Sequence, residues 1–240
     1  MAPVVVSPTT VRRLVLVSAA LALAVATPTL LTRAQSAPSP GTAVPGSQPD
    51  GTTLLPNGWR LSVVGKHLKV GNFPLNLALS SDGRYAVVTN NGITKPSLSV
   101  VDINSWSIKS TTSVDHAWYG LSFSADGTKV YSAGASQNNV QEFTYADGAL
   151  TKARTFALPA QVGETFAGGL TVSRDGRSLY VTRVFAMTLS AIDLGSGQVT
   201  NTVQLPAEPY TTVVSADGRV VYVSLWGGGR VQAYSADGCL

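Results

Sequence analysis

Residues 170–183 read LTVSRDGRSLYVTR, and three more stretches follow the same plan: LALSSDGRYAVVTN at 77–90, LSFSADGTKVYSAG at 121–134 and TVVSADGRVVYVSL at 212–225. In each, a short apolar run ends in Ser-X-Asp-Gly. The aspartate can accept hydrogen bonds from nearby backbone amides, and glycine takes positive φ without steric cost, so these residues specify a hairpin turn. A second run, rich in Val and Tyr, follows the turn. The turn aspartates Asp82, Asp126, Asp175 and Asp217 are 44, 49 and 42 residues apart. A second matched segment closes each copy: LSVVD at 98–102, VQEFT at 140–144, LSAID at 189–193 and VQAYS at 231–235. A further turn, such as 194–197, leads to a fourth strand, such as 198–205. Four antiparallel strands in each such period match the blade of a β-propeller.

The expected fold is therefore all-β, a propeller of four-stranded antiparallel blades. Four blades are expected here, of the seven with which such rings usually close. A sandwich has no need of four near-copies of one unit, a parallel β-helix repeats at a shorter period, and no sustained 3.6-residue pattern follows the first 34 residues. The last copy is expected to lack its outer strand. An arc that does not close leaves sheet edges unpaired and one blade face bare, which favours association.

Outside the repeats, residues 1–34 read as an export signal. Arg12 and Arg13 precede a nearly unbroken apolar run from Leu14 to Ala26, and small-residue sites follow at 24–26 and 32–34. An uncleaved anchor is the competing reading; Pro28 and two threonines weaken it. Residues 35–58, rich in Pro, Ser, Gly and Thr, read as a linker, and residues 59–240 as the propeller. The formal charge is +4, but Arg12, Arg13 and Arg33 lie in the leader without any acid. The remainder holds 14 basic against 13 acidic residues, so no basic stripe is left to neutralise nucleic-acid phosphates. The single cysteine, Cys239, cannot form an internal disulfide, so packing must hold the fold.

The repeats place non-equivalent residues at equivalent positions, which is where a repeat protein can acquire recognition. Before the first strand of each copy lie residues 74–76, 118–120, 167–169 and 209–211; after the second strand lie 90–91, 134–135, 183–184 and 225–226. If the first strands line the propeller axis, these loops gather at one mouth of it. The candidate ligand-facing group is Asn76, His116, Trp118, Tyr119, Arg183, Tyr210 and Trp226. Arg183 would supply a charged fork for phosphate or carboxylate, and the aromatics flat stacking area. The competing assignment is structural: aromatics packed between blades, and Arg183 paired with Glu164 or Asp193.

Other chemistry finds little support. His67 and His116 are the only histidines and lack zinc-site spacing. Asp115 and His116 are neighbours, which in a strand point to opposite faces. Gly227-Gly228-Gly229 opens no helix, so it is not a nucleotide loop, and the Asp-Gly pairs lack the spaced acids of a calcium loop. No catalytic residue, metal site or cofactor is expected.

Tyr180-Val181-Thr182-Arg183 and Val87-Val88-Thr89-Asn90, each after its Ser-X-Asp-Gly turn, resemble the YVTN-repeat (YncE-like) β-propeller family over residues 59–240. The words LLPNGWRLS (54–62), VVTNNGITKPSLSVVD (87–102), VDHAWYGLSFSADG (114–127), LPAEPYTTVVSADG (205–218) and VSLWGGGRV (223–231) look like the N-terminal propeller of secreted bacterial proteins that join such a propeller to an alkaline-phosphatase-type phosphoesterase. The resemblance implies a non-catalytic, exported binding module, periplasmic or extracellular. Its partners would be the remaining blades and phosphoesterase domain of a parent chain, with a small ligand or envelope protein, no nucleic acid and no membrane span after signal cleavage. It carries over no catalytic residue, because no position here matches the phosphoesterase's metal ligands or nucleophile. A propeller hydrolase of lactonase type and a structural envelope protein are the alternatives; Asp115, His116 and Glu164 are the side chains the former could use.

Overall fold

The computed structural model describes residues 44–62, 64–160 and 162–236. The expected signal segment and Cys239 lie outside them. Among the described residues no helix is long and apolar enough to cross a membrane. The chain divides into two compact units, residues 1–66 and 67–240.

In the first unit, β1 (Gly46–Ser47), β2 (Thr53–Leu54) and β3 (Arg60–Leu61) form a small antiparallel sheet in the order β1-β2-β3. Part of the stretch read as a linker thus carries paired strands. Asp50 helps to fasten it, accepting from the Thr52 amide at 3.0 Å and facing Arg60 at 3.3 Å.

The second unit contains four sheets, one for each copy of the repeat. The first is β4 (Pro74–Leu79), β5 (Tyr85–Asn90), β6 (Ser97–Asp102) and β7 (Ser107–Ser113). The second is β8 (Leu121–Phe123), β9 (Lys129–Ala133), β10 (Asn139–Ala146) and β11 (Ala149–Ala157). The third is β12 (Ala167–Val172), β13 (Ser178–Arg183), β14 (Thr188–Asp193) and β15 (Val199–Gln204). The fourth has three strands among the described residues, β16 (Pro209–Val214), β17 (Val220–Leu225) and β18 (Arg230–Ser235). Every sheet is an antiparallel meander in chain order, and the first strands β4, β8, β12 and β16 are neighbours from sheet to sheet. This is the architecture of β-propeller blades.

The four Ser-X-Asp-Gly turns fold alike. In the third, Ser173 Oγ donates to Asp175 Oδ1 at 2.6 Å, the same oxygen accepts from the Arg177 amide at 3.1 Å, and Ser173 Oγ accepts from the Ser178 amide at 2.8 Å. Ser80/Asp82, Ser124/Asp126 and Ser215/Asp217 repeat that network. The turn glycines have φ between 68° and 78°, the left-handed region. Donation by the serine hydroxyl and the amide holds all four carboxyls below the ordinary carboxylate range.

Sheets stack through one repeated column. Val87, Tyr131 and Tyr180 occupy the same place in successive second strands, and each is buried against the following sheet. Each fully buried Tyr or Val contributes roughly 1.5–3 kcal/mol, so a few such positions per interface outweigh any surface ion pair. The preceding face of the first sheet is covered by Leu68 and Val70, which pack on Ala86, Val88 and Val101. The fourth copy of the column, Tyr222, is 41% exposed beside exposed Val213 and Val231.

Between the second and third sheets, Glu142 is 3% exposed and clamped by Arg154 at 3.0 Å and Lys129 at 3.4 Å. Arg154 also donates to the Leu194 carbonyl of the next sheet and lies over the Phe156 ring at 4.5 Å. Burial, then the Glu142 charge, pushes the Tyr131 hydroxyl far above its usual range.

Two outcomes follow for stability. Arg154→Met leaves the buried Glu142 carboxylate with Lys129 as its one remaining cation and should cost about 3 kcal/mol in denaturant unfolding, whereas the Arg154→Met/Glu142→Leu pair should cost clearly less. The turn aspartates bind fewer protons when native than when unfolded, so their contribution is present above the ordinary carboxylate pKa and lost as pH falls through their lowered native values. Melting temperature should therefore drop on acidification below that range, and Asp→Asn changes at positions 82, 126, 175 and 217 together should flatten the drop.

Candidate functional site

The turns lie at one end of the inner strands, and at the opposite end the backbones crowd together. A methyl built on Gly120 would lie 2.3 Å from the Gly168 carbonyl oxygen, and one on Gly169 would lie 2.4 Å from the Thr211 Cα. Glycine at these places lets β12 sit against its neighbours on either side, and that approach assembles the site.

Position by position, Leu75, Tyr119, Gly168 and Tyr210 are equivalents. Because the third copy carries glycine, the tyrosines of the second and fourth meet near it, ring centroids 4.9 Å apart. Tyr210 continues to Trp226, 5.8 Å away and 66% exposed. Asn76 Nδ2 donates to the Tyr119 carbonyl at 2.7 Å. Four of the seven predicted residues, Asn76, Tyr119, Tyr210 and Trp226, therefore form one contiguous row drawn from three sheets.

Trp118 belongs to a second aromatic row. Its ring meets Phe166 edge-on at 5.1 Å, and Phe166 meets Phe185 at 5.8 Å. Half-buried His116 lies in the loop before β8, with Nδ1 3.4 Å from Ser136 Oγ, while its carbonyl accepts from Gln141 Nε2 at 2.8 Å. Asp115 and Glu164 are exposed.

Arg183 stands apart from both rows. It is 2% exposed, donating from Nε to Thr188 Oγ1 at 2.9 Å and from Nη1 to the Pro159 carbonyl at 2.8 Å. Among the described residues neither Glu164 nor Asp193 pairs with it, and burial lowers its pKa. The reason is strand alternation: the last residue of the second strand in the first, third and fourth sheets turns toward the preceding face, so Asn90 and Leu225 are buried as well. The residue at the next position is buried in the second and third copies, as Ala135 and Val184, whereas in the fourth it is Trp226, which opens the turn Trp226–Gly228 and is exposed.

Sequence reasoning passed over Glu208, Phe166 and Phe185. A methyl on Gly227 would lie 1.8 Å from Glu208 Oε2, so this carboxylate rests on the turn Trp226–Gly228 that presents the indole. The available signal was the glycine run after Trp226, which implies close approach by a neighbour. Among the described residues no three His, Cys, Asp or Glu side chains gather to hold a metal ion. At the turn end, a cavity of about 430 Å³ between the second and third sheets is lined by Asp126, Asp175 and Asp193, each already bonded within its own turn.

The chain's similarities agree with this architecture. The model of the SMP-30/gluconolactonase/LRE-like region matches residues 78–218, more than half of the chain. No curated protein matches. Among solved structures, a protein from Lactobacillus plantarum is similar at 18% identity and TM-score 0.60, over 77% of this chain and 59% of its own. A Bacteroides uniformis protein provisionally assigned as a 6-phosphogluconolactonase is 16% identical with TM-score 0.59, over 77% and 59%. The periplasmic gluconolactonase of Pseudomonas aeruginosa is 20% identical with TM-score 0.50, over 70% and 68%. The chain spans only about half to two thirds of the length of such relatives.

Arg183→Met is expected to lower stability by about 1–3 kcal/mol, because the Pro159 carbonyl and the Thr188 hydroxyl lose their donor. Chemical denaturation measures this, and ligand binding at the aromatic row should be unchanged.

Proposed function

Because the chain belongs to the SMP-30/gluconolactonase/LRE-like family, we propose that it is part of an exported propeller hydrolase of lactonase type. The observation that carries this reading is the Tyr119–Tyr210–Trp226 row at the inner-strand ends, reinforced by Asn76. Aromatic faces bind the C–H faces of a saturated ring, and nearby polar groups orient its substituents. In lactone hydrolysis, water oxygen bonds to the carbonyl carbon, the ring C–O bond breaks, and the ring oxygen takes up the proton. Export rests on the basic and apolar leader, and the periplasmic gluconolactonase similar to this chain supports the same compartment.

A second reading draws on the non-repeated words at 54–62, 87–102, 114–127 and 205–231. They resemble the propeller of YVTN-repeat proteins joined to a phosphoesterase. In that reading the row binds a ligand without reacting with it, and the bare face carrying Tyr222 receives a further blade of the parent chain.

Hydrolysis of glucono-δ-lactone and of p-nitrophenyl phosphate by the full chain separates the two. Lactone turnover above the spontaneous rate is expected, and Tyr210→Ala should lower kcat/KM about tenfold, the scale of one lost aromatic contact. His116→Ala and Glu164→Ala test the two side chains nearest in kind to a base. Ligand binding with no lactone turnover would favour the binding module.

A further inference from the structure

Glu208 is a half-buried carboxylate held against the turn that presents Trp226, two residues before Tyr210. Gly227 makes the approach possible, since any β-carbon there would occupy the carboxylate's place. Among the described residues Glu208 forms no ion pair. Arg230, the cation that opens β18 after that turn, donates its Nε to the Gly228 carbonyl at 3.3 Å. The guanidinium expected to grip a phosphate, Arg183, is buried with two of its donors committed to Thr188 and Pro159. The aromatic row is thus flanked by a carboxylate that, among the described residues, has no cationic partner.

We infer that Glu208, Trp226 and Tyr210 form a subsite for an uncharged polyhydroxylated ring, in which Glu208 accepts hydrogen bonds from ring hydroxyls and discriminates against the phosphorylated form of the same ring. The choice of ring chemistry rests on the lactonase reading above. Hydroxyl-to-carboxylate hydrogen bonds are charge-assisted and strong, so a neutral polyol gains from Glu208. A phosphate brought to the same place meets like charge. Trp226 supplies a flat apolar face for the ring.

The test is direct binding to the full chain, followed by tryptophan fluorescence and calorimetry, with D-glucose and D-glucose 6-phosphate as probes. Glucose should bind about tenfold more tightly than its phosphate, the scale of one like-charge contact in a largely solvated place. Trp226→Phe should abolish the fluorescence response while calorimetry still reports binding. Glu208→Gln should narrow the preference to within about threefold, since the amide keeps the shape and removes the charge. Gly227→Ala, which displaces the carboxylate without removing it, should narrow it too, and thermal melts confirm that both variants fold. Equal or tighter binding of the phosphate overturns the inference. So does a preference untouched by Glu208→Gln, or failure of the wild-type chain to bind either sugar. Lactone turnover is read separately: equal kcat/KM on glucono-δ-lactone and its 6-phosphate leaves the lactonase reading standing and sinks this subsite. Selective glucose binding without lactone turnover does the reverse.

Discussion

Each sheet of the second unit has an apolar face that only the next sheet can cover, and everything else in the structure answers to that requirement. Val87, Tyr131 and Tyr180 lie beneath their successors, and Phe143, Leu179 and Ile192 fill the same gaps from the other side. Interiors packed to this density leave little slack for a shifted sheet. The Glu142–Arg154 clamp adds orientation, because the guanidinium that neutralises one sheet's acid also caps a carbonyl of the next. Leu68 and Val70 show the requirement at the first sheet, where a strap of chain covers what a preceding blade would.

That stacking separates the two ends of the unit into different chemistry. At the turn end, the repeated aspartates look like an acidic surface, yet each spends one carboxylate oxygen on closing its own hairpin. At the other end the loops are free of that duty, and the copies have diverged. The third copy carries Gly168 where the second and fourth carry tyrosine, and those two tyrosines, from non-consecutive sheets, touch. The row is a product of the repeat and of one exception to it.

Among the described residues the resulting surface is rich in aromatic rings and holds no cluster of three acids, histidines or cysteines. Such a surface suits a ring that is held by its faces and steered by a few polar atoms. The chain belongs to the SMP-30/gluconolactonase/LRE-like family. Propellers host many unrelated activities, so a ligand is inferred from the site and not from the fold.

Four sheets, their meander order and the turn chemistry were legible in the amino-acid sequence, because those features are local: Ser, Asp and Gly at fixed offsets dictate a hairpin wherever they stand. Asn76, Tyr119, Tyr210 and Trp226 could be nominated from repeat alignment, which puts equivalent positions at equivalent ends of equivalent strands. Only the tertiary structure decided which of them meet. Arg183 and Trp226 lie one position apart in the aligned copies, yet Arg183 ends its strand and is buried between sheets, while Trp226 opens the turn Trp226–Gly228 and is exposed. Glu208 became visible only through its contact with Gly227, a contact between loops 19 residues apart that no local pattern encodes. Sequence determined the unit and its repetition; packing of one unit against the next, a long-range matter of steric room, decided which side chains face outward together.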